Sequence, residues 1–91
     1  MTFGEALEAV KTGKRITRDG WNGKNMFVFY AHGEVLFPEL CDILAVQGIT
    51  ALIKIKTRPH LDMFTAQGDI QVGWLASQSD MLADDWRVLN D

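Results

Sequence analysis

"TFGEALEAVKTGKRITRDGWNGKNMFVFYA", residues 2–31, changes its hydrophobic period part-way, and that change decides the fold class. Thr2 with Glu5 three residues on is a capping box. Phe3, Ala6, Leu7 and Val10 then recur at i, i+3, i+4 and i+7, so the spacing predicts an amphipathic helix over 3–12. Lys11 suits the negative end of that helix, and Gly13 can take the left-handed cap. From residue 14 the period shortens. "KRITR" (14–18) alternates as a short strand, and "NMFVFYA" (25–31) is an aromatic, β-branched strand. Asn22-Gly23 between them is a two-residue hairpin signal.

Outward from this segment, His32-Gly33 turns the chain. "FPELCDILAVQG" (37–48) predicts a helix with Pro38 in its first turn and Gly48 as its stop. Its apolar face is Leu40, Ile43 and Leu44, with Val46 or Cys41. "ALIKIKT" (51–57) alternates as a strand, with Ile53 and Ile55 inward and Lys54 and Lys56 outward. After a break at Arg58-Pro59, "HLDMFTA" (60–66) and "IQVGW" (70–74) flank Gln67-Gly68-Asp69 as a hairpin. Ser77 with Asp80 repeats the capping pattern ahead of a short helix over 78–84. "DWRVL" (85–89) closes as a strand. The sum is α+β: an antiparallel sheet of five or six short strands, an N-terminal amphipathic helix and one or two short helices, in one domain over 1–91. Nothing alternates as βαβαβ, which excludes a doubly wound fold.

Ninety-one residues, 47% apolar and 23% charged, suit a globular domain with one core. A chain this short buries only about 60–65% of its unfolded surface, which makes self-association an expectation. The lone Cys41 excludes an intrachain disulfide and fits a reducing cytoplasm; in its apolar setting it is expected to be a buried, inert thiol. Glu5 and Glu8 interrupt the N-terminus, unlike a signal peptide, and no apolar run is long enough for a membrane span. The net charge of −3 argues against non-specific nucleic-acid binding. Yet Lys11, Lys14, Arg15, Arg18 and Lys24 face only Asp19 in their stretch, enough to attract a small phosphate ligand.

Enzymatic templates fail. His32 and His60 belong to no metal-spaced pair, the phosphate-loop and nucleophile-elbow patterns are absent, and Asp84 and Asp85 are adjacent, so they diverge. Neither cofactor nor metal is expected. Binding chemistry fares better. Trp21 lies in a turn with Asn22, Gly23 and Lys24. It either stacks a nucleobase, with Gly23 admitting the ligand and Lys24 or Arg18 meeting a phosphate, or folds back onto the sheet. In "GWLASQSDMLADDW" (73–86), Trp74 and Trp86 frame a polar run. Ser77 and Asp80 read as a helix cap; equally, Ser77, Gln78 and Asp80 read as the polar floor of an aromatic-walled pocket.

These two stretches carry a resemblance. F-x-E-A-L, then G-W-N-G, then W-L-A-S-Q-x-D-M-L-A-x-D-W resemble, in order and separation, the Thoeris anti-defence type two family of small phage and prophage proteins. The resemblance covers residues 2–30 and 51–89, while 31–50 departs from it. It implies a binding protein rather than an enzyme. Members sequester cyclic ADP-ribose isomers made by bacterial TIR-domain proteins, and some hold cyclic dinucleotides at a separate place. It also implies a homotetramer with pockets between protomers. Carried over by motif, the ligand-binding residues are Trp21, Asn22 and Gly23, then Trp74, Ser77, Gln78 and Asp80. Arg18 and Lys24 join them from the charge pattern. The function expected is an intact-ligand sponge in the host cytoplasm, with neither nucleic acid nor membrane as partner. The rival is a protein–protein module anchored by an exposed Trp21.

Overall fold

The computed structural model describes residues 1–33, 35–36, 47–48 and 55–90. Helix α1 spans Phe3–Lys11. Its capping box is present: the Thr2 hydroxyl accepts from the Glu5 N–H at 3.2 Å, and the Glu5 carboxylate accepts from the Thr2 N–H at 2.9 Å. Its apolar stripe buries Ala6 and Val10 completely, with Phe3 and Leu7 packed beside them.

The stripe lies against a five-stranded sheet built from β1 (Arg15–Arg18), β2 (Phe27–Ala31), β5 (His60–Phe64), β6 (Ile70–Gln71) and β7 (Trp86–Leu89). Their order is β6-β5-β2-β1-β7, antiparallel throughout. A separate two-stranded ribbon pairs β3 (Val35–Leu36) with β4 (Ile55–Lys56). A second short helix, α2, covers Gln78–Leu82. The fold is the α+β class that the sequence predicts.

Cross-strand partners share a face of a sheet. Ile16 stands opposite Val28 and Val88, and Val28 opposite Met63, so these residues line one face. With Trp86 and the stripe of α1 they form the core. Each fully buried aliphatic here contributes about 1.5–3 kcal/mol. The opposite face carries Arg15 beside Leu89, Thr17 beside Arg87, and Phe27 stacked on Phe64 at 5.1 Å.

Two expectations change, the turn at Asn22-Gly23 and the length of the strand over 70–74. The Asn22-Gly23 pair does not form a two-residue turn. β1 ends at Arg18 and β2 begins at Phe27, and the positive φ falls at Asn25 (61°) rather than at residues 22 and 23. A type I′ turn needs positive φ at both central residues. The longer loop instead lets the Trp21 ring reach Trp74 and Trp86. His60 is a strand residue, with its imidazole 3.1 Å from the Asp62 carboxylate, whereas His32 is exposed beside Tyr30. The strand expected over 70–74 stops at Gln71 because the Gly73 N–H turns to the Asp62 carboxylate, at 2.9 Å. The helix expected over 37–48, with Cys41, lies outside the described residues apart from the Gln47-Gly48 turn. Of the strand over 51–57, β4 is the described part. Among the described residues no helix is long and apolar enough to cross a membrane, and no group of three or more His, Cys, Asp or Glu could hold a metal ion.

Candidate functional site

Residue 80 explains the polar run between the tryptophans. Ser77 caps α2: its hydroxyl accepts from the Asp80 N–H at 3.0 Å, and the Asp80 carboxylate accepts from the Ser77 N–H at 3.1 Å. The same carboxylate reaches across the fold. One oxygen accepts from Arg18 Nη1 at 2.8 Å and from Trp21 Nε1 at 2.9 Å. The Asp80 carbonyl oxygen accepts from Trp86 Nε1 at 2.9 Å. Two indole N–H groups therefore end on one residue, which is 8% exposed. Trp21, Trp74 and Trp86 meet edge to face, with centroids 5.3–6.3 Å apart, the arrangement that aromatic quadrupoles favour.

Burial alone would raise the Asp80 pKa. The bonds from Trp21, Arg18 and Ser77 outweigh it and hold the carboxyl below its ordinary value. Arg18 is shared. Its Nε donates to Asp85 at 2.8 Å, and its bonds to Asp85 and Asp80 push its pKa up. Asp85 is held low by Arg18, with help from the Gly20 N–H.

Beside this hub, loop 19–26 overhangs the outer face of β1 and β7 and encloses an open cleft of about 490 Å³. Trp21, Gly23 and Lys24 line it from the loop, and Arg15, Phe27 and Arg87 from the sheet. Gly23 is required sterically: a Cβ there would meet the Met26 sulfur at 2.3 Å and the Ala66 methyl at 2.8 Å. The Arg15 guanidinium sits over the Phe27 ring at 5.0 Å. Arg87 pairs with Asp19 at 2.6 Å on the exposed rim. The cleft thus offers an aromatic wall and a basic rim, the chemistry that suits a base and a phosphate.

The residues nominated from the sequence divide. Arg18, Trp21, Gly23 and Lys24 line the cleft. Trp74, Ser77, Gln78 and Asp80 do not, and neither does Asn22. Ser77 and Gln78 are exposed, whereas the Asp80 oxygens point at Arg18, Trp21 and Ser77 rather than outward. Trp21 is half-buried against two other indoles instead of being an exposed stacking ring, although one side of it meets the cleft. The cleft also takes in Phe27 and Arg87, to which the sequence points in no way, and Arg15, which the sequence marks only as part of the basic stretch. The alternation of "RITR" puts Arg15 and Thr17 on one face, a usable signal. Nothing local predicts that Arg87 stands opposite Thr17.

Residues 1–89 match the family model described as the Thoeris anti-defense 2-like domain. The chain belongs to this family. It is similar to the protein named "Thoeris anti-defense 2" from Bacillus phage SP01, with 36% identity over 94 residues that span 99% of this chain and 96% of that one. Family membership supports a phage anti-defence role. The match also runs through residues 31–50, where the motif resemblance breaks off. Loop 19–26 and the α2 region both lie inside it.

Proposed function

We propose that the protein is an anti-defence sponge. It binds a cyclic ADP-ribose isomer made by TIR-domain proteins and holds it without hydrolysis, in the cytoplasm of the infected bacterium. The observation that carries this reading is the cleft under loop 19–26, where Trp21 and Phe27 supply ring surface and Arg15, Lys24 and Arg87 supply positive charge. A cyclic ADP-ribose isomer has a base to stack and a doubly charged pyrophosphate to neutralise. Asp19, the one carboxylate of the cleft among the described residues, is tied to Arg87, which supports holding over cleaving.

A sponge must bind tightly. Nanomolar affinity corresponds to about −12 kcal/mol, which favours a site shared between protomers over an open groove on one. Leu75 and Leu82 support self-association: they are 90% and 83% exposed, apolar surface that a neighbouring copy would cover. A tetramer and a separate place for cyclic dinucleotides complete the proposal. The rival, a protein–protein module, loses its proposed anchor because Trp21 is packed rather than exposed.

The test is a thermal shift with a panel of cyclic ADP-ribose isomers and cyclic dinucleotides, followed by heat release and mass analysis. A ligand at 100 times its dissociation constant adds about 2.7 kcal/mol to stability. The expected result is a marked rise in melting temperature and release of the ligand intact. No shift with any isomer, or release of a cleaved product, overturns the proposal.

A further inference from the structure

Loop 19–26 carries Trp21, Gly23 and Lys24 into the cleft and leaves β1 where the β1–β7 ladder ends, at Arg18 opposite Trp86. Beyond that pair the entry of the loop is held by side chains, Arg87 on the Asp19 carboxylate at the exposed rim and one aspartate that gathers three residues. The Asp85 carboxylate accepts from Gly20 N–H at 2.7 Å on one oxygen and from Arg18 Nε at 2.8 Å on the other. Its carbonyl oxygen accepts from the Asp19 N–H at 3.3 Å. Three consecutive residues, 18, 19 and 20, are thus bound to a single aspartate just ahead of β7. Arg18 carries the restraint onward, since its Nη1 meets the Asp80 oxygen that also holds the Trp21 indole N–H. The path Asp85–Arg18–Asp80–Trp21 fixes a ring at the cleft from a residue that does not line it.

We propose that Asp85 is a positioning residue for ligand binding: it fixes loop 19–26, and with it Trp21, in the pose the cleft uses. This rests on the sponge reading of the cleft. Two further observations fit. A side chain at Gly20 would push the Asp85–Arg18 pair aside, since a Cβ there would lie 2.7 Å from Asp85 Oδ2 and 3.1 Å from Arg18 Nη2. Arg18 donates along two edges of its planar fork to two carboxylates, which a lysine ammonium on a single stem cannot reproduce.

The experiment has one readout without ligand and one with it. Trp21 and Trp86 lie edge-on at 5.3 Å, so the near-ultraviolet circular dichroism of the unliganded protein reports the pose of Trp21. Calorimetry with a panel of cyclic ADP-ribose isomers reports binding. Asp85→Ala is expected to change the tryptophan dichroism well below the melting temperature and to lose at least tenfold in affinity. Asp85→Asn keeps one acceptor oxygen and should fall between Asp85→Ala and wild type. Gly20→Ala displaces the carboxylate while keeping it in the chain, so it should reproduce the direction of Asp85→Ala if that variant fails to fold. Asp84→Ala, at the exposed neighbouring position, should match wild type in both readouts. Wild-type dichroism and affinity in folded Asp85→Ala or Gly20→Ala overturn the proposal. If the wild type binds no isomer, the sponge reading falls. The dichroism of Asp85→Ala then decides by itself whether Asp85 positions Trp21.

Discussion

The capping boxes at residues 2–5 and 77–80 are one device in two regions of the molecule. In each, a hydroxyl caps the N–H of the third residue, whose carboxylate returns to the N–H of the cap. In each, those bonds help to hold the carboxyl below its ordinary pKa. Glu5 is exposed, and its carboxylate bonds go to Thr2. Asp80 is buried and adds Arg18 and Trp21 to its own box, while its carbonyl takes Trp86. The local motif sets how a helix starts. Where that helix is docked sets whether its cap also organises the interior.

The largest expected effect comes from breaking the second box at its charge. Asp80→Asn leaves Arg18 short of one carboxylate in a mostly buried site, and removing one member of a buried pair costs 3–5 kcal/mol in general. Asp85 still holds Arg18, so we expect about 3 kcal/mol, read as a lower denaturation midpoint in urea. The pH profile sharpens the same contrast. Asp80 and Asp85 have depressed folded-state pKa values, so their contribution is fully present above the unfolded value, about 3.9 for aspartate. It is lost as pH falls through the folded value. Wild-type melting temperature should therefore drop below about pH 4, and Asp80→Asn should drop less. An equal drop in both proteins would contradict the assignment.

Trp21→Ala comes next. Full truncation of a core tryptophan costs 3–5 kcal/mol; this ring is half-buried, so about 2 kcal/mol is expected, together with loss of ligand binding. An unchanged apo melting temperature would mean that the indole cluster does not hold the loop. Smaller still are the caps. Ser77→Ala should cost about 1 kcal/mol and Thr2→Ala about 0.5–1 kcal/mol, within the range of N-cap deletions, measured by chemical denaturation. The order matters: Ser77 also holds the backbone that presents Asp80, so a costlier Thr2→Ala would reverse the comparison. The smallest effect is Glu5→Gln, which should leave the melting temperature within experimental error, since Glu5 lies in solvent and serves its own helix.

Much of this was legible in the sequence. Helix α1 and its box follow from the 3.6-residue spacing of Phe3, Ala6, Leu7 and Val10. α2 follows from Ser77 and Asp80, and all five sheet strands follow from alternating or aromatic runs, each within three residues of its observed ends. The turn over 19–26 was misjudged for a definite reason. Asn-Gly is a strong preference of an isolated hairpin, worth little against three indoles that pack together. Of the residues that the sequence suggests for a ligand, Trp21, Gly23, Lys24 and Arg18 line the cleft, while the Asp80 carboxylate is bonded to Arg18, Trp21 and Ser77.

What the sequence by itself determined are the properties set within a few residues. These are the two boxes, the periods, the basic stretch from 11 to 24 and the motifs that mark the family. Only the tertiary structure decided which of two similar carboxylates is buried, and that Arg18, Trp21 and Trp86 converge on residue 80. It alone set Asp85 against Gly20 and Arg87 against Thr17. Apart from Trp86 on Asp80, those contacts join residues about sixty or more positions apart, brought together by the pairing of β1 with β7 and the docking of α2 beside it. Register depends on how the whole core packs, so no window of sequence contains it.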